Sequence, residues 1–385
     1  MTTQSSVHRD RRILFVQATM AEAYPPIINA ALLVADAGWD VHVLTAPIAG
    51  KVMAFPAHGR ITLHRFRERP THVMSKASYA RYTWAAVALA RKLKVDVVYA
   101  SDPLGGGAGL ASARASGARL IYHEHDSPEP GGQSLLYRLR SVAARGADLV
   151  VLPNAERARL AQAEIGFPAE RLRIVWNVPR RAEVLPECAK SSGLHILYYH
   201  GTLTPARLPL TIVEAVKRFE GRVELHFAGY TVAGAWGYVA ELERSGAHDG
   251  RMLVRNLGMI SREDVLAAAS RAHVGLALMP MTGGDVNMRH MTGASNKIFD
   301  YMAAGAVPIV SDVPDWRQMF VDAGYALACD PADVASIAGV VGRLLDAPGL
   351  REQIAGRNRA KIAAEWNYDT QFEPVLQQIQ SWCQA

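Results

Sequence analysis

The sequence predicts an α/β protein in two halves, each a parallel sheet with crossover helices. Three observations predict it. Short apolar runs of strand length alternate with helix-length stretches that carry one apolar face. A polar segment at 180–193, with Pro186 and Gly193, reads as a linker, and the strand–helix rhythm restarts directly after it. A chain of 385 residues, half of it hydrophobic and a fifth charged, is long enough for two domains with separate cores.

Residues 1–11 are polar and basic and read as a disordered lead-in. The apolar run Ile13–Ala18 is too short for a signal-peptide core. Arg12–Gln17 is a first strand, Ile27–Ala37 a helix stopped by Gly38, and Trp39–Thr45 a second strand. Between 58 and 94, basic residues from His58 to Lys94, among them Arg69, His72, Lys76 and Arg81, are interleaved with Phe66, Tyr79, Tyr82 and Trp84. Such a stretch suits an anionic membrane surface, a nucleic acid, or a solvated basic face with its aromatics in the core. It matches no nucleic-acid reading module.

Val95–Ala100 is the next strand. Gly105, Gly106, Gly107 and Gly109 follow it and open a helix, without the G-x-G-x-x-G spacing, and they read as a close-approach turn beside a substrate cleft. Ala118–Asp126 is a strand with its carboxyl end, the end that faces the ligand crevice in open α/β sheets. Alternation places His123 and His125 on one face and Glu124 on the other. His125 is nearer the crevice and is a candidate active-site residue, or else a hydrogen-bonded structural histidine. The His-Glu-His-Asp order lacks the spacing of a helical metal site. Leu135–Ala144 and Ala155–Gly166 read as helices, and Asp148–Pro153 and Leu172–Pro179 as strands.

The second half opens with the strand Leu194–Gly201, and Gly201 marks a tight turn toward a helix through Ala215. Arg207 stands where a guanidinium would clamp a diphosphate. Val223–Ala228, Met252–Gly258 and Val274–Met279 read as strands, with Ser261 and Asp264 opening the intervening helix as a capping pair. The loop 280–292 leads into the stretch Met291–Val310. There, small residues Gly293, Ala294 and Ser295 admit close approach to the backbone. Ser295 or Asn296 is the N-cap, Ile298, Phe299, Met302 and Ala303 form an apolar helix face, Gly305 is the C-cap, and Val307–Val310 is a buried strand. Free amides at that helix start, with Lys297 beside them, suit a phosphate, and Asp300 would accept hydrogen bonds from sugar hydroxyls. An ordinary αβ unit with a surface lysine has the same spacing. Helices run from there to Ala385.

The net charge of +6 favours acidic partners such as nucleotide phosphates or anionic lipid. Cys188, Cys329 and Cys383 match no metal or disulfide spacing, which points to a reducing, cytoplasmic setting. No apolar run reaches transmembrane length.

Three stretches taken together resemble the retaining GT-B glycosyltransferases, glycosyltransferase family 4 (glycosyl transferases group 1). They are Gly201-Thr202-Leu203-Thr204-Pro205-Ala206-Arg207, Asn256 to Val265, and Ser295-Asn296-Lys297-Ile298-Phe299-Asp300-Tyr301-Met302-Ala303-Ala304-Gly305. The resemblance implies two Rossmann-like domains facing a central cleft. Residues 1–182 would form the acceptor side, residues 183–364 the nucleotide-sugar side, and residues 365–385, around Trp366 and Tyr368, a helix crossing back.

It further implies a UDP- or GDP-linked sugar as donor, a glycan, lipid-linked or small-molecule hydroxyl as acceptor, and no metal or cofactor. A role in polysaccharide or glycoconjugate assembly follows, with possible contact to the inner membrane face. By position, Gly201, Thr202, Ser295 and Asn296 would approach the diphosphate. Met259 and Ile260 would meet the base, Asp300 the ribose, Thr292 the donor sugar, and His125 the reacting sugar carbon. The sequence departs from the family pattern in four places: Thr292 replaces a glutamate, Thr202 an arginine, Arg207 a lysine and Asp300 a glutamate. Lys297 belongs to a branch with an N-K-x-F-[DE]-Y-M pattern and would join Arg207 in neutralising the leaving group. A nucleotide-sugar epimerase of the same fold, or a non-catalytic nucleotide-sugar-binding partner, is the alternative.

Overall fold

The structure is a computed structural model that describes residues 11–47, 54–67, 74–129, 131–132, 134–231, 235 and 237–382. The chain divides into two compact units, Met1–Trp176 with Gln371–Ala385, and Asn177–Thr370. The expected divisions after 182 and 364 lie six residues from these borders.

The first unit contains a seven-stranded parallel sheet. Its strands are β1 (Arg12–Gln17), β2 (Asp40–Thr45), β3 (Ile61–Arg65), β4 (Val97–Ser101), β5 (Arg119–His123), β6 (Leu149–Leu152) and β7 (Leu172–Ile174), in the order β3-β2-β1-β4-β5-β6-β7. Its helices are α1 (Pro25–Asp36), α2 (Lys76–Leu93), α3 (Asp102–Ser116), α4 (Leu135–Gly146) and α5 (Ala155–Ile165). Leu14, Val16, Val98, Ala100, Leu120 and Tyr122 on one sheet face pack with Tyr82, Ala86, Ala143 and Ala161 of the helices. On the opposite face Phe15 stacks on Tyr99 with ring centroids 4.6 Å apart, and Phe372 lies 6.3 Å beyond. The register pairs Gln17 with Thr45 and Ser101, and Ser101 with His123, so polar residues line the carboxyl ends of adjacent strands.

Three expectations change here. The glycines 105–109 lie within α3 and form no turn. A Cβ on Gly105 would come within 2.5 Å of the Val16 carbonyl, and one on Gly106 within 2.7 Å of the Tyr122 ring. The glycines therefore let a helix lie directly on β1 and β5. The strand expected through Pro179 stops at Ile174, and from Asn177, whose amide donates to the Gly293 carbonyl, the chain belongs to the second unit. Within the basic stretch, Ile61–Arg65 is an edge strand, where half-burial leaves only a weak apolar signal. There Tyr79 and Tyr82 turn inward, donating to the carbonyls of Leu104 and Leu44. Arg69, His72, the lead-in 1–10 and Cys383 lie outside the described residues.

The second unit contains a six-stranded parallel sheet in the order β12-β9-β8-β13-β14-β15 and a short antiparallel hairpin, β10–β11. These are β8 (His195–Leu203), β9 (Val223–Thr231), β10 (Ala247–His248), β11 (Arg251–Met252), β12 (Val254–Asn256), β13 (Val274–Ala277), β14 (Val307–Ser311) and β15 (Leu327–Cys329). The strand expected over 252–258 is thus split between hairpin and sheet. Around the sheet run α6 (Thr211–Lys217), α7 (Tyr238–Ser245), α8 (Arg262–Arg271), α9 (Val286–Arg289), α10 (Asn296–Ala304), α11 (Pro314–Trp316), α12 (Val334–Asp346) and α13 (Pro348–Ala364), whereas α14 (Tyr368–Ser381) belongs to the first unit from Gln371 on. The helix α10 lies tight on β13 because residue 275 is glycine; any side chain there would overlap the Tyr301 ring. The Tyr301 hydroxyl donates to the Leu276 carbonyl at 3.0 Å and accepts from the His200 amide at 3.3 Å. One ring thus fixes α10 against two strands.

Candidate active site

The turn before α10 is built from local amides. Those of Ala294 and Ser295 both donate to the Met291 carbonyl at 2.9 Å, and Gly293 supplies the left-handed backbone (φ 74°). Asn177 clamps this turn: its amide donates to the Gly293 carbonyl at 2.7 Å and its Nδ2 to the Ala294 carbonyl at 2.8 Å. Ser295 occupies the N-cap with extended backbone, but its side chain accepts nothing from the first turn. That turn also contains no acidic residue. The helix therefore presents its positive end without side-chain compensation.

Lys297 adds a cation to that end. Its side chain is buried and runs toward Gly201, where a Cβ would come within 2.9 Å of Lys297 Cε. Gly201 has φ 115°, a conformation other residues rarely adopt, so glycine is required there twice over. Lys297 Nζ stands 5.6 Å from the centroid of the Tyr199 ring. Burial, then the charge of Arg207, push the ammonium down to about 7, against a weaker opposing pull from Asp300. Among the described residues no carboxylate forms an ion pair with Lys297 or Arg207. A buried cation at a helix N-terminus, with a second near enough to act on it electrostatically, is an arrangement that suits an anion.

The other predicted residues of this unit fall around the same strand ends. Thr202 follows Gly201 on β8, and its carbonyl accepts from the Tyr199 hydroxyl at 2.5 Å. Gly229 pairs with Gly201, and a Cβ on it would overlap the Gly201 carbonyl; its amide donates to the Gly258 carbonyl at 2.9 Å. That bond brings the loop of Met259 and Ile260 beside Gly201, with Met259 41% exposed. Ser261 then caps α8, accepting from the Asp264 amide at 3.1 Å and donating to Asp264 Oδ2 at 2.7 Å. Thr292 is half-buried in the turn before α10.

Asp300, the expected acceptor from sugar hydroxyls, already has partners in the structure. It is fully buried, and Arg262 holds both its oxygens at 2.7 Å in a bidentate pair. Asn296 Nδ2 donates to Oδ2 at 2.8 Å, and the buried His200 ring lies 3.4 Å away. Arg262 also reaches Glu183 Oε1 at 2.8 Å. Burial, then Lys297 and Arg262, keep His200 neutral by pushing it well below its usual range. A ligand hydroxyl would meet Asp300 only after this pairing opens. Sequence reasoning assigns no site role to Arg262, His200, Glu183 or Asn177, because the first three act through Asp300 and Asn177 stands 117 positions from its partner.

In the first unit, His123 and His125 share a face as expected, with ring centroids 3.9 Å apart. Glu124 points the other way into a buried network with Arg140 at 2.7 and 2.9 Å, the Tyr122 hydroxyl at 2.9 Å and Ser127 Oγ at 2.5 Å. It is therefore structural. The His125 amide donates to Asp102 Oδ1 at 2.8 Å, and its carbonyl accepts from Arg157 Nη1 at 2.8 Å. Neither ring nitrogen of His125 has a partner among the described residues. Burial and the Arg157 charge push the imidazole down to about 3, so it is a neutral donor–acceptor. Asp102, in left-handed backbone (φ 59°), is pushed up to about 8 by burial and Asp126. No group of three or more His, Cys, Asp or Glu among the described residues is arranged to hold a metal.

Comparison with known proteins adds to this geometry. Residues 29–177 match the family model described as a glycosyl transferase 4-like domain, and residues 210–377 the model described as glycosyl transferase-like. No curated protein matches the chain. Among solved structures, HepE from Anabaena in complex with UDP and glucose is 15% identical, with a TM-score of 0.69 over 96% of this chain and 100% of that one. Sucrose-phosphate synthase from Thermosynechococcus elongatus is 16% identical, with a TM-score of 0.68 over 97% and 98% of the two chains. A glycosyltransferase from Rickettsia africae is 10% identical, with a TM-score of 0.71 over 98% and 99%. At these identities the structural likeness speaks for the fold, and the two family models, which between them span most of the chain, speak for the family. The chain belongs to the group 1 glycosyltransferases of GT-B fold.

Proposed function

We propose that this glycosyltransferase takes a sugar from a nucleoside diphosphate, UDP- or GDP-linked, and transfers it with retention to a hydroxyl of a glycan, lipid-linked or small-molecule acceptor. The observation that carries this reading is Lys297, buried without an acidic partner beside Arg207 at the uncapped start of α10. The UDP held by the similarly folded HepE agrees with it.

Glycosyl transfer builds negative charge on the departing diphosphate while the sugar carbon becomes oxocarbenium-like. Fixed cations and helix-end amides that meet this charge lower the barrier without reorganising. On this reading the amides of Asn296 and Lys297, the Lys297 ammonium and the Arg207 guanidinium receive the diphosphate oxygens, and the chain supplies the positive charge itself. Gly201 and Thr202 leave the backbone close to the leaving group, and Met259 and Ile260 border the base. His125, as a neutral imidazole, orients the donor sugar by a hydrogen bond. Polysaccharide or glycoconjugate assembly is the setting that suits such a transferase.

Isothermal titration with UDP, GDP and their hexose conjugates tests the reading. Micromolar to millimolar binding of one nucleotide, lost in Lys297→Ala, is expected; equal binding by wild type and variant would remove the assignment. Product anomers followed by NMR decide retention, and release of an epimer without acceptor would favour the epimerase reading instead.

A further inference from the structure

Helices α2, α3 and α4 lie side by side over one face of the first sheet, with α3 in the middle. Gly107 of α3 is bracketed by the Tyr79 hydroxyl of α2 and by Leu139 of α4. Their inward residues join the apolar core, but their outward faces are unusual. Trp84 on α2 is 74% exposed, and on α4 Leu135 and Val142 are 50% and 48% exposed. The exposed charged residues of α2 and α4 are all cations: Lys76, Arg81, Arg91 and Lys92 on α2, and Arg138 and Arg145 on α4. Neither helix contains Asp or Glu. The sole acid of α3, Asp102, is turned to the amides of His125 and Asp126.

We propose that this outward face docks on an anionic lipid surface. Exposed apolar side chains, Leu136 beside Leu135 among them, share these helices with guanidinium and ammonium groups alone, a pattern that suits the headgroup boundary, with Trp84 at its level and arginine stems lying along the acyl edge. A second copy of the chain is a poorer occupant. A two-fold pairing through this face would bring the same cations together, and stable protein interfaces deplete lysine and other charges at their centre. A nucleic acid would satisfy the cations but leave Leu135 and Val142 in water. The basic stretch read from the sequence contributes one side of the surface; α4, which lies outside that stretch, contributes the other.

Cosedimentation of the full chain with vesicles tests the proposal without turnover. Binding is expected to an equal mixture of phosphatidylcholine and phosphatidylglycerol, not to phosphatidylcholine alone, and to weaken with salt. The double reversal Arg81→Glu with Arg138→Glu should lower it by at least about tenfold, and Trp84→Ala with Leu135→Ser should lower it too. Circular dichroism on these surface variants separates loss of docking from loss of fold. Indifference to phosphatidylglycerol, absence of vesicle binding, or unchanged binding in both variants overturns the proposal. So does a solution dimer that dissociates on Trp84→Ala, which would assign the face to a second copy.

Discussion

Lys297 is a cation at a helix end that is already positive, and it is buried there without a carboxylate. Burial and the Arg207 charge push its ammonium down to about 7. A bound diphosphate favours the charged form and raises that value. Affinity for UDP or GDP should therefore hold steady below about pH 7 and fall as pH rises toward about 9, by up to tenfold per unit. Calorimetric titration across that range checks this, and a flat profile contradicts it. Arg207→Ala and Lys297→Ala should each reduce turnover by about two to three decades, as loss of one charge-stabilising donor does. Wild-type rates in both would place the leaving group elsewhere. At this scale the placement of Lys297 at a helix start was legible in the sequence, since a glycine turn and a helix start are local features. The burial of Asp300 and the bidentate grip of Arg262 were not legible, because they depend on a helix 38 residues away.

At the scale of elements, the ion-paired cluster of Arg262, Asp300 and Glu183 ties α8 and α10 to the segment leading into β8. Arg262→Ala strands a fully buried carboxylate and should cost about 3–5 kcal/mol. The double variant Arg262→Ala with Asp300→Asn should recover part of that loss in urea unfolding; no recovery would mean that Arg262 acts through packing alone. Gly275→Ala, which drives a methyl into the Tyr301 ring, should cost about 1–3 kcal/mol and loosen α10. The sequence made α10, β14 and the Ser261–Asp264 cap legible because their periodicity and caps are local. It misread the glycines of α3, since glycine marks a turn and a close-packed helix with the same letter. Only the Val16 carbonyl and the Tyr122 ring, distant in sequence, distinguish the two. The edge strand β3 escaped notice because its exposed face carries the same basic residues as its surroundings.

For the whole molecule, acid stability follows from buried imidazoles. His123, His125, His200 and His273 are all pushed down mainly by burial, His125 to about 3 and His273 to about 4. Each stays neutral when folded while its unfolded counterpart takes a proton below about 6.5. Stability should thus fall as pH drops below about 6, by about 1.4 kcal/mol per unit for each such group. Asp102, pushed up to about 8, works the other way and offsets one of the four. Denaturant melts at about pH 7 and about pH 5 check the sign; equal midpoints would show that these rings titrate freely. Lys297 has a consequence of its own at this scale. A buried ammonium with no ion-paired carboxylate among the described residues leaves the fold less heat-resistant than its architecture allows. Lys297→Met should melt a few degrees higher than the natural chain in plain buffer and lower than it in saturating nucleotide. The crossing of those two curves would show readiness for substrate held as latent instability.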